Sequence, residues 1–278
     1  MISARTRLAV VIGDPVRHSL SPALHNAAYR EMGIDWVYVA LEVPAGSAGA
    51  ALAGLAALGI AGCSVTMPHK TAAAEACAVL TPAAAALRSV NTVTVVDGHL
   101  EGDSTDGPGF LAALAEAGVV PSGLRVLLCG AGGAARAVAD ALGRAGADVV
   151  VTARRTDAAA ETAALAGGST VPWTDRDSAV SECAVVVNAT PIGMGGDGAT
   201  VVAPGALLPG QIVADLVYHP LDTALLRAAR ERGAQSVDGL GMLVHQAALQ
   251  IRRWTGSEAP IAAMRTAARA ELTESGRA

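Results

Sequence analysis

A chain of 278 residues that is 52% hydrophobic and 16% charged carries enough apolar material for two modest buried cores, which excludes a disordered tract. The formal net charge of −5, without a basic run, argues against a nucleic-acid backbone as partner. With 3% aromatics and one phenylalanine, Phe110, a base-stacking platform is excluded as well.

Leu8–Ile12 is an apolar run stopped at once by Gly13-Asp14-Pro15, too short for a signal-peptide core and of the right length for a buried strand. Ser21-Pro22 reads as an N-cap with proline at the first helical position, opening a helix that closes near Gly33. Trp36–Val43 is strand-like, 47–58 helical and Ala61–Val65 a strand. The stretch from Glu42 to Lys70 lacks Asp, Glu, Lys and Arg between its ends, but its bulk is alanine and glycine and Pro68 lies inside it. A helix and a buried strand explain it better than a membrane span. A short helix follows Lys70, and Thr81-Pro82 opens another by the same cap-plus-proline logic.

Asn91–Val96 and His99–Gly102 flank Asp97-Gly98, a two-residue hairpin signal and the one antiparallel feature expected. Pro108 sits in the first turn of a helix running to Gly118, and 119–123 reads as a linker. Beyond it come strand 124–129, a glycine turn, helix 133–145, strand 148–153, helix 156–166, strands 184–188 and 212–217, and helix 221–232. From about Gly239 the pattern is wholly helical, with a break at Thr255-Gly256. This alternation predicts an α/β protein with largely parallel sheets.

Four scattered cysteines, Cys63, Cys77, Cys129 and Cys183, show no paired spacing and read as small hydrophobes of a reducing, cytoplasmic compartment. The six histidines lack metal-ligand spacing, so no metal site is expected. The basic residues are more telling: of 20, Lys70 is the single lysine. Arginine cannot release its proton near neutral pH, whereas a lysine can donate and recover one. Lys70 is either a surface residue left by compositional drift or a position that arginine cannot serve.

The clearest local motif is Gly130-Ala131-Gly132-Gly133-Ala134-Ala135, directly after the apolar strand and before a helix. It fits the dinucleotide fingerprint, in which glycines let backbone approach a pyrophosphate seated at the helix N-terminus. An NAD site wants Asp or Glu at the end of the second strand; here stand Ala153-Arg154-Arg155-Thr156. Two guanidiniums and a hydroxyl suit a 2′-phosphate, which predicts NADP(H). Upstream, His18-Ser19-Leu20-Ser21-Pro22 places two hydroxyls beside a helix start, a carboxylate cradle unless Ser21 is only a cap and Ser19 only a loop residue. Thr66-Met67-Pro68-His69-Lys70, Asn91 and Asp103-Ser104-Thr105-Asp106-Gly107 fall in further loops at strand ends, where open α/β sheets gather ligands. Tyr218 is not the tyrosine of a short-chain dehydrogenase, because Asp222 stands where a lysine would be needed.

In order and spacing the chain resembles the shikimate dehydrogenase family over nearly its whole length. The resemblance rests on SLSP at 19–22, SVTMPHK at 64–70, SVNT at 89–92, STDGPGF at 104–110, GAGGAAR at 130–136, NATPIGM at 188–194, DLVYHP at 215–220 and GLGMLVHQAALQ at 239–250. It implies reversible reduction of 3-dehydroshikimate to shikimate with NADPH, by a small-molecule enzyme with no nucleic-acid or membrane partner; a homodimer is left open. It further implies that Ser19 and Ser21 hold the substrate carboxylate, and that Thr66, Asn91 and Gln246 bond its carboxylate or hydroxyls with Tyr218 nearby. Lys70 and Asp106 look like the catalytic pair. Gly130, Ala131, Gly132, Gly133 and Ala134 would wrap the pyrophosphate, Arg154, Arg155 and Thr156 would meet the 2′-phosphate, and Thr190, Leu216, Gly239 and Met242 would line the nicotinamide side.

Three places depart from the family pattern. Ser64 and Ser104 stand where asparagine is usual, and Ala153–Thr156 where Asn-Arg-Thr is common. The rivals are a quinate or aminoshikimate relative, a reductase of another acid, and an NADP-binding sensor, against which the retention of both Lys70 and Asp106 argues. The expected organisation is a substrate domain of residues 1–105 with 240–278, and a Rossmann-type, doubly wound NADP domain of residues 106–239. The C-terminal helices return to the first domain, and the active site is expected in the cleft.

Overall fold

A computed structural model describes residues 2–274 of the chain, so Met1 and positions 275–278 of the expected first domain lie outside the described residues. The chain divides into two compact units. One runs to Thr105 and takes in Val244–Glu271; the other spans Asp106–Leu243 and resumes at Leu272.

The first unit contains β1 (Arg7–Gly13), α1 (Ser21–Glu31), β2 (Trp36–Glu42), α2 (Ala48–Ala57), β3 (Ile60–Val65), α3 (Lys70–Ala76), β4 (Val79–Leu80), α4 (Pro82–Leu87), β5 (Thr92–Val96) and β6 (His99–Asp103). Its sheet has the order β2-β1-β3-β5-β6-β4. β1 is parallel to β2 and β3, while β5 is antiparallel to both β3 and β6. The hairpin is therefore not the one antiparallel feature: its first strand also reverses against β3. Asp97 and Gly98 turn it at φ 48° and 79°, the left-handed pair that a two-residue loop requires. Leu52 and Leu55 of α2 close one sheet face over Val10, Ile12, Cys63 and Val65.

The second unit holds α5 (Asp106–Glu116), β7 (Arg125–Cys129), α6 (Gly133–Arg144), β8 (Asp148–Thr152), α7 (Thr156–Leu165), β9 (Ser169–Thr170), α8 (Arg176–Ala179), β10 (Val185–Asn188), β11 (Ile212–Asp215), α9 (Ala224–Glu231) and β12 (Gln235–Val237). All six strands are parallel, in the order β12-β11-β10-β7-β8-β9. This is the doubly wound arrangement, with its switch point between β7 and β10. Its central strands are buried on both faces. Val126, Leu128, Val185 and Val187 meet α5 and α6, and Leu127, Cys129, Val186 and Val213 meet α9. Residues 119–123 are not a linker: Val119 is buried in the first of these cores, and the turn is tied by Val119 N–H to Leu114 O and Gly123 N–H to Gly146 O.

Two helices close the described residues, α10 (Gly239–Thr255) and α11 (Ile261–Glu274). No helix among the described residues is long and apolar enough to cross a membrane. The elements absent from the sequence reading are β4, β9, β12 and α8. Each is two to four residues long, too short to show a period.

Candidate active site

Strand direction builds the first half of the site. The loops after β1 and β3 leave the carboxyl edge of their sheet. Because β5 runs backwards, its entry lies at that same edge: Ser64 pairs with Thr92, and Thr92 with Asp103 at the exit of β6. Ser19, Ser21, Thr66, Lys70 and Asn91 are thereby brought to one edge. Gly13 is required there, since a Cβ on it would collide with Thr66 Cγ2. Thr66 N–H bonds Ile12 O at 3.0 Å, and the His69 ring bonds Val43 O through Nε2 at 2.7 Å, which fixes the loop before Lys70. Lys70 opens α3, and its carbonyl accepts the Val90 N–H at 2.9 Å.

The two serines divide their duties differently from the sequence expectation. Leu20 occupies the N-cap position of α1 and Ser21 is already helical, with Pro22 after it. Ser21 is therefore not the cap. The Ser19 hydroxyl, two residues earlier, accepts the Ser21 N–H at 3.2 Å and satisfies one of the open donors of the first turn. The Ser21 carbonyl in turn accepts Nδ1–H of His25 at 2.8 Å. His25 is fully buried and stacked on Tyr38 at 3.9 Å, and burial lowers its pKa to about 4.

Asn91 is held by its neighbours. Its Oδ1 accepts the Thr92 hydroxyl at 2.7 Å and the Thr105 N–H at 2.9 Å, and its Nδ2 donates to Thr105 Oγ1 at 3.0 Å. Gln246 lies on α10, one turn before Gln250 and two before Trp254. Trp254 Nε1 reaches Val93 O inside β5, and Gln250 reaches Thr92 and Asn91 at its entry. Residues four apart share a helix face and lie about 6 Å apart along the axis. Gln246 therefore projects beyond the same sheet edge.

The second unit uses backbone instead. Cys129, Thr152, Asn188 and Asp215 form a row across the carboxyl ends of β7, β8, β10 and β11. Gly130 turns the chain out of β7 at φ 126°, and a Cβ on it would sit 2.6 Å from Ala189 O. Gly132 caps α6 with open space around it, so Gly130–Ala134 leave a cradle at the helix N-terminus. Ala153 is buried at the tip of β8, while Arg154, Arg155 and Thr156 are exposed after it, with no carboxylate before Asp157. The residues present therefore fit a dinucleotide carrying a 2′-phosphate.

Asn188 and Asp215 shape the loops that carry Thr190, Leu216 and Tyr218. Asn188 Oδ1 accepts the Thr190 N–H and hydroxyl at 3.0 and 2.7 Å, while its Nδ2 donates to Asp215 Oδ1 at 2.8 Å. Asp215 also accepts the Val217 N–H and the Thr223 hydroxyl, and burial raises its pKa against these bonds. Gly239, which opens α10, would place a Cβ 2.5 Å from Leu216 O; Met242 follows in the same helix and packs on the core below. Asp106 is the first residue of α5. That helix lies so close to α6 that a Cβ on Gly107 would be 2.6 Å from Ala137 O.

The substrate-binding domain of shikimate dehydrogenases matches residues 11–93, and the C-terminal domain of shikimate 5′-dehydrogenases matches residues 239–269. Residues 125–217 match an NADP oxidoreductase domain described as coenzyme F420-dependent. Curated NADP(+) shikimate dehydrogenases of Moorella thermoacetica and Gluconobacter oxydans are 44% and 47% identical. The first alignment spans 95% of this chain and 92% of the relative, the second 92% of each. The chain belongs to the shikimate dehydrogenase family. A crystal structure of the Thermus thermophilus family member, in complex with NADP(H) and shikimate, superposes with a TM-score of 0.90 at 37% identity, covering 96% of this chain and all of that one.

Within this shikimate dehydrogenase chain, the sequence motifs identified most of the side chains at the two sheet edges but not what holds them. Gln250, Tyr38, Asn188 and Asp215 carry no functional signal of their own, although Asn188, Asp215 and Gln250 lie inside the motifs at 188–194, 215–220 and 239–250. The available signal was polarity at strand ends and on an apolar helix face. Such a residue, once buried, must have a partner.

Proposed function

We propose that this protein catalyses the reversible, NADP-dependent reduction of 3-dehydroshikimate to shikimate. The observation that carries the reading is the gathering of Ser19, Ser21, Thr66 and Asn91 at one sheet edge beside the chain's single lysine. Hydroxyls and an amide suit a polyhydroxylated acid, and a lysine beside them can manage the proton that a ketone requires. NADPH, held by Gly130–Ala134 and by Arg154, Arg155 and Thr156, supplies the hydride when bound, with Thr190, Leu216, Gly239 and Met242 lining its nicotinamide side.

The protein's own contribution is binding and proton handling. Ser19 and Ser21 take the carboxylate; Thr66, Asn91 and Gln246 take carboxylate or hydroxyl oxygens, with Tyr218 nearby. Reduction builds negative charge on the ketone oxygen, and the Lys70 ammonium donates a proton there. In the oxidative direction the Lys70 amine takes that proton back, while Asp106 orients Lys70 and accepts a bond from the adjacent substrate hydroxyl.

Lys70→Arg tests this directly. It keeps charge and most of the length but stays protonated at every working pH. Turnover should fall by at least about 10²-fold, the scale of lost acid–base help, with NADP affinity little changed. Near-normal turnover would make Lys70 a bystander. A panel of shikimate and quinate against NADP and NAD separates this reading from a quinate-specific relative. The four cysteines are free, in keeping with a cytoplasmic enzyme. A homodimer is the assembly to test by light scattering.

A further inference from the structure

We infer that Gln250, which no substrate role requires, is a positioning residue that sets the orientation of Asn91 through a one-way chain of buried hydrogen bonds. The inference rests on the reading of Asn91 as an acid-binding residue.

The chain begins in β2 and crosses the sheet. Tyr38 OH donates to Ser64 Oγ at 2.6 Å, and Ser64 Oγ donates to Gln250 Oε1 at 2.7 Å. Gln250 Nε2 donates to Thr92 Oγ1 at 3.1 Å and to Asn91 O at 3.4 Å, and Thr92 Oγ1 donates to Asn91 Oδ1 at 2.7 Å. Tyr38, Ser64, Gln250, Thr92 and Asn91 are all buried, with Gln250 at 1% exposure, so water cannot substitute for a missing partner.

Direction is what makes the chain more than a set of contacts. A hydroxyl has one proton, so Ser64, having received the Tyr38 proton, sends its own to Gln250. That fixes Oε1 as the acceptor end of the Gln250 amide and leaves Nε2 to face Thr92. Thr92 Oγ1, receiving that N–H, sends its proton to Asn91 Oδ1. With Oδ1 also taken by the Thr105 N–H, the Asn91 amide is locked with Oδ1 as its acceptor end and Nδ2 as its donor end, one N–H of which goes to Thr105 Oγ1 at 3.0 Å. Asn91 then meets an acid or hydroxyl ligand as a donor. Ser64 is central here, because asparagine, usual at this position, would carry its own amide on the strand. With serine in place, the amide comes from α10.

Without Gln250, the Thr92 hydroxyl can turn instead toward Thr105 Oγ1, 3.3 Å away, and Asn91 Oδ1 loses its shortest donor, keeping the Thr105 N–H. Gln250→Met and Thr92→Val remove the two links with little change of volume, and Asn91→Ala serves as the reference. Each of the first two should raise KM for shikimate by about tenfold, the worth of one misdirected hydrogen bond. The KM for NADP and kcat should stay within about twofold. Because both act on the same amide, the double variant should be no worse than the poorer single one.

A Gln250→Met protein with lower Tm but unchanged shikimate KM would overturn the inference and leave Gln250 a packing residue. So would a double variant whose losses multiply. If Gln250→Met does not fold, Thr92→Val alone decides by the same KM criterion. Should Asn91→Ala leave the shikimate KM unchanged, the acid-site reading itself fails, and the inference with it. A defect in Asn91→Ala that Gln250→Met lacks removes the positioning role alone.

Discussion

On the proposed reading, the two units solve the same problem, presenting a ligand at the carboxyl edge of a sheet, by opposite means. The Asp106–Leu243 unit does it with backbone: a left-handed glycine, open helix N–H groups, and strands buried on both faces. The unit running to Thr105 does it with side chains, tied hydroxyl to amide across a mixed sheet. A pyrophosphate is the same in every dinucleotide, so a backbone cradle suffices for it. A ring acid has to be distinguished from its relatives by donors and acceptors at fixed places, which side chains provide.

This contrast predicts where each unit breaks. The largest effect belongs to Gly130→Ala, which adds a methyl 2.6 Å from Ala189 O at a φ that alanine rarely adopts. NADP affinity should fall by at least about 100-fold, in line with the few kcal/mol such strain costs, while shikimate affinity is unchanged. Titration of each ligand separately checks it; normal NADP binding would mean the turn is not the cradle.

Acid should separate the units next. His25 is neutral when folded, with a pKa of about 4 against an ordinary 6.5, so the unfolded chain takes up its proton first. Its contribution is complete above pH 6.5 and is lost as pH falls toward 4, up to about 3 kcal/mol. Asp215 in the other unit has a raised pKa, so acidification relieves its buried charge instead. Unfolding followed in a Trp173→Phe protein, which leaves Trp36 and Trp254 as reporters of the first unit, should show a marked drop in stability between pH 6.5 and 4.5. His25→Gln should flatten it. A pH-independent midpoint would contradict the assignment.

The smallest effect is at the first turn of α1. Ser19→Ala should cost about 0.5–2 kcal/mol of stability, and Ser21→Ala less, because the Ser19 hydroxyl serves the helix start. Thermal midpoints of the two variants decide the order.

The same contrast explains what could be read from the sequence. The main strands and helices of the dinucleotide unit were legible, since a glycine turn between an apolar strand and a helix is a local pattern, but its short elements β9, β12 and α8 and the packed turn at 119–123 were not. The acid unit was legible as a set of polar loops, but its geometry was not. Asn91 reaches the site only because β5 runs antiparallel to β3, and no local pattern states that direction. Ser21-Pro22 looked like a cap because serine before proline usually is one. The helix begins a residue earlier than that rule allows, and the duty passes to Ser19. Gln250 and Asp215 act through partners 186 and 27 residues away in sequence, and only the fold brings those partners within reach.

Division of labour between the units is most directly tested by a crossed binding measurement, with shikimate and NADP titrated separately into Ser19→Ala and into Arg154→Ala/Arg155→Ala. The arginine variant should lose about tenfold or more of its affinity for NADP per guanidinium, shift toward NAD, and bind shikimate as before. The serine variant should lose shikimate affinity and keep NADP. An arginine variant with an unchanged NADP-to-NAD preference, or a serine variant impaired for NADP and not for the acid, would contradict the account.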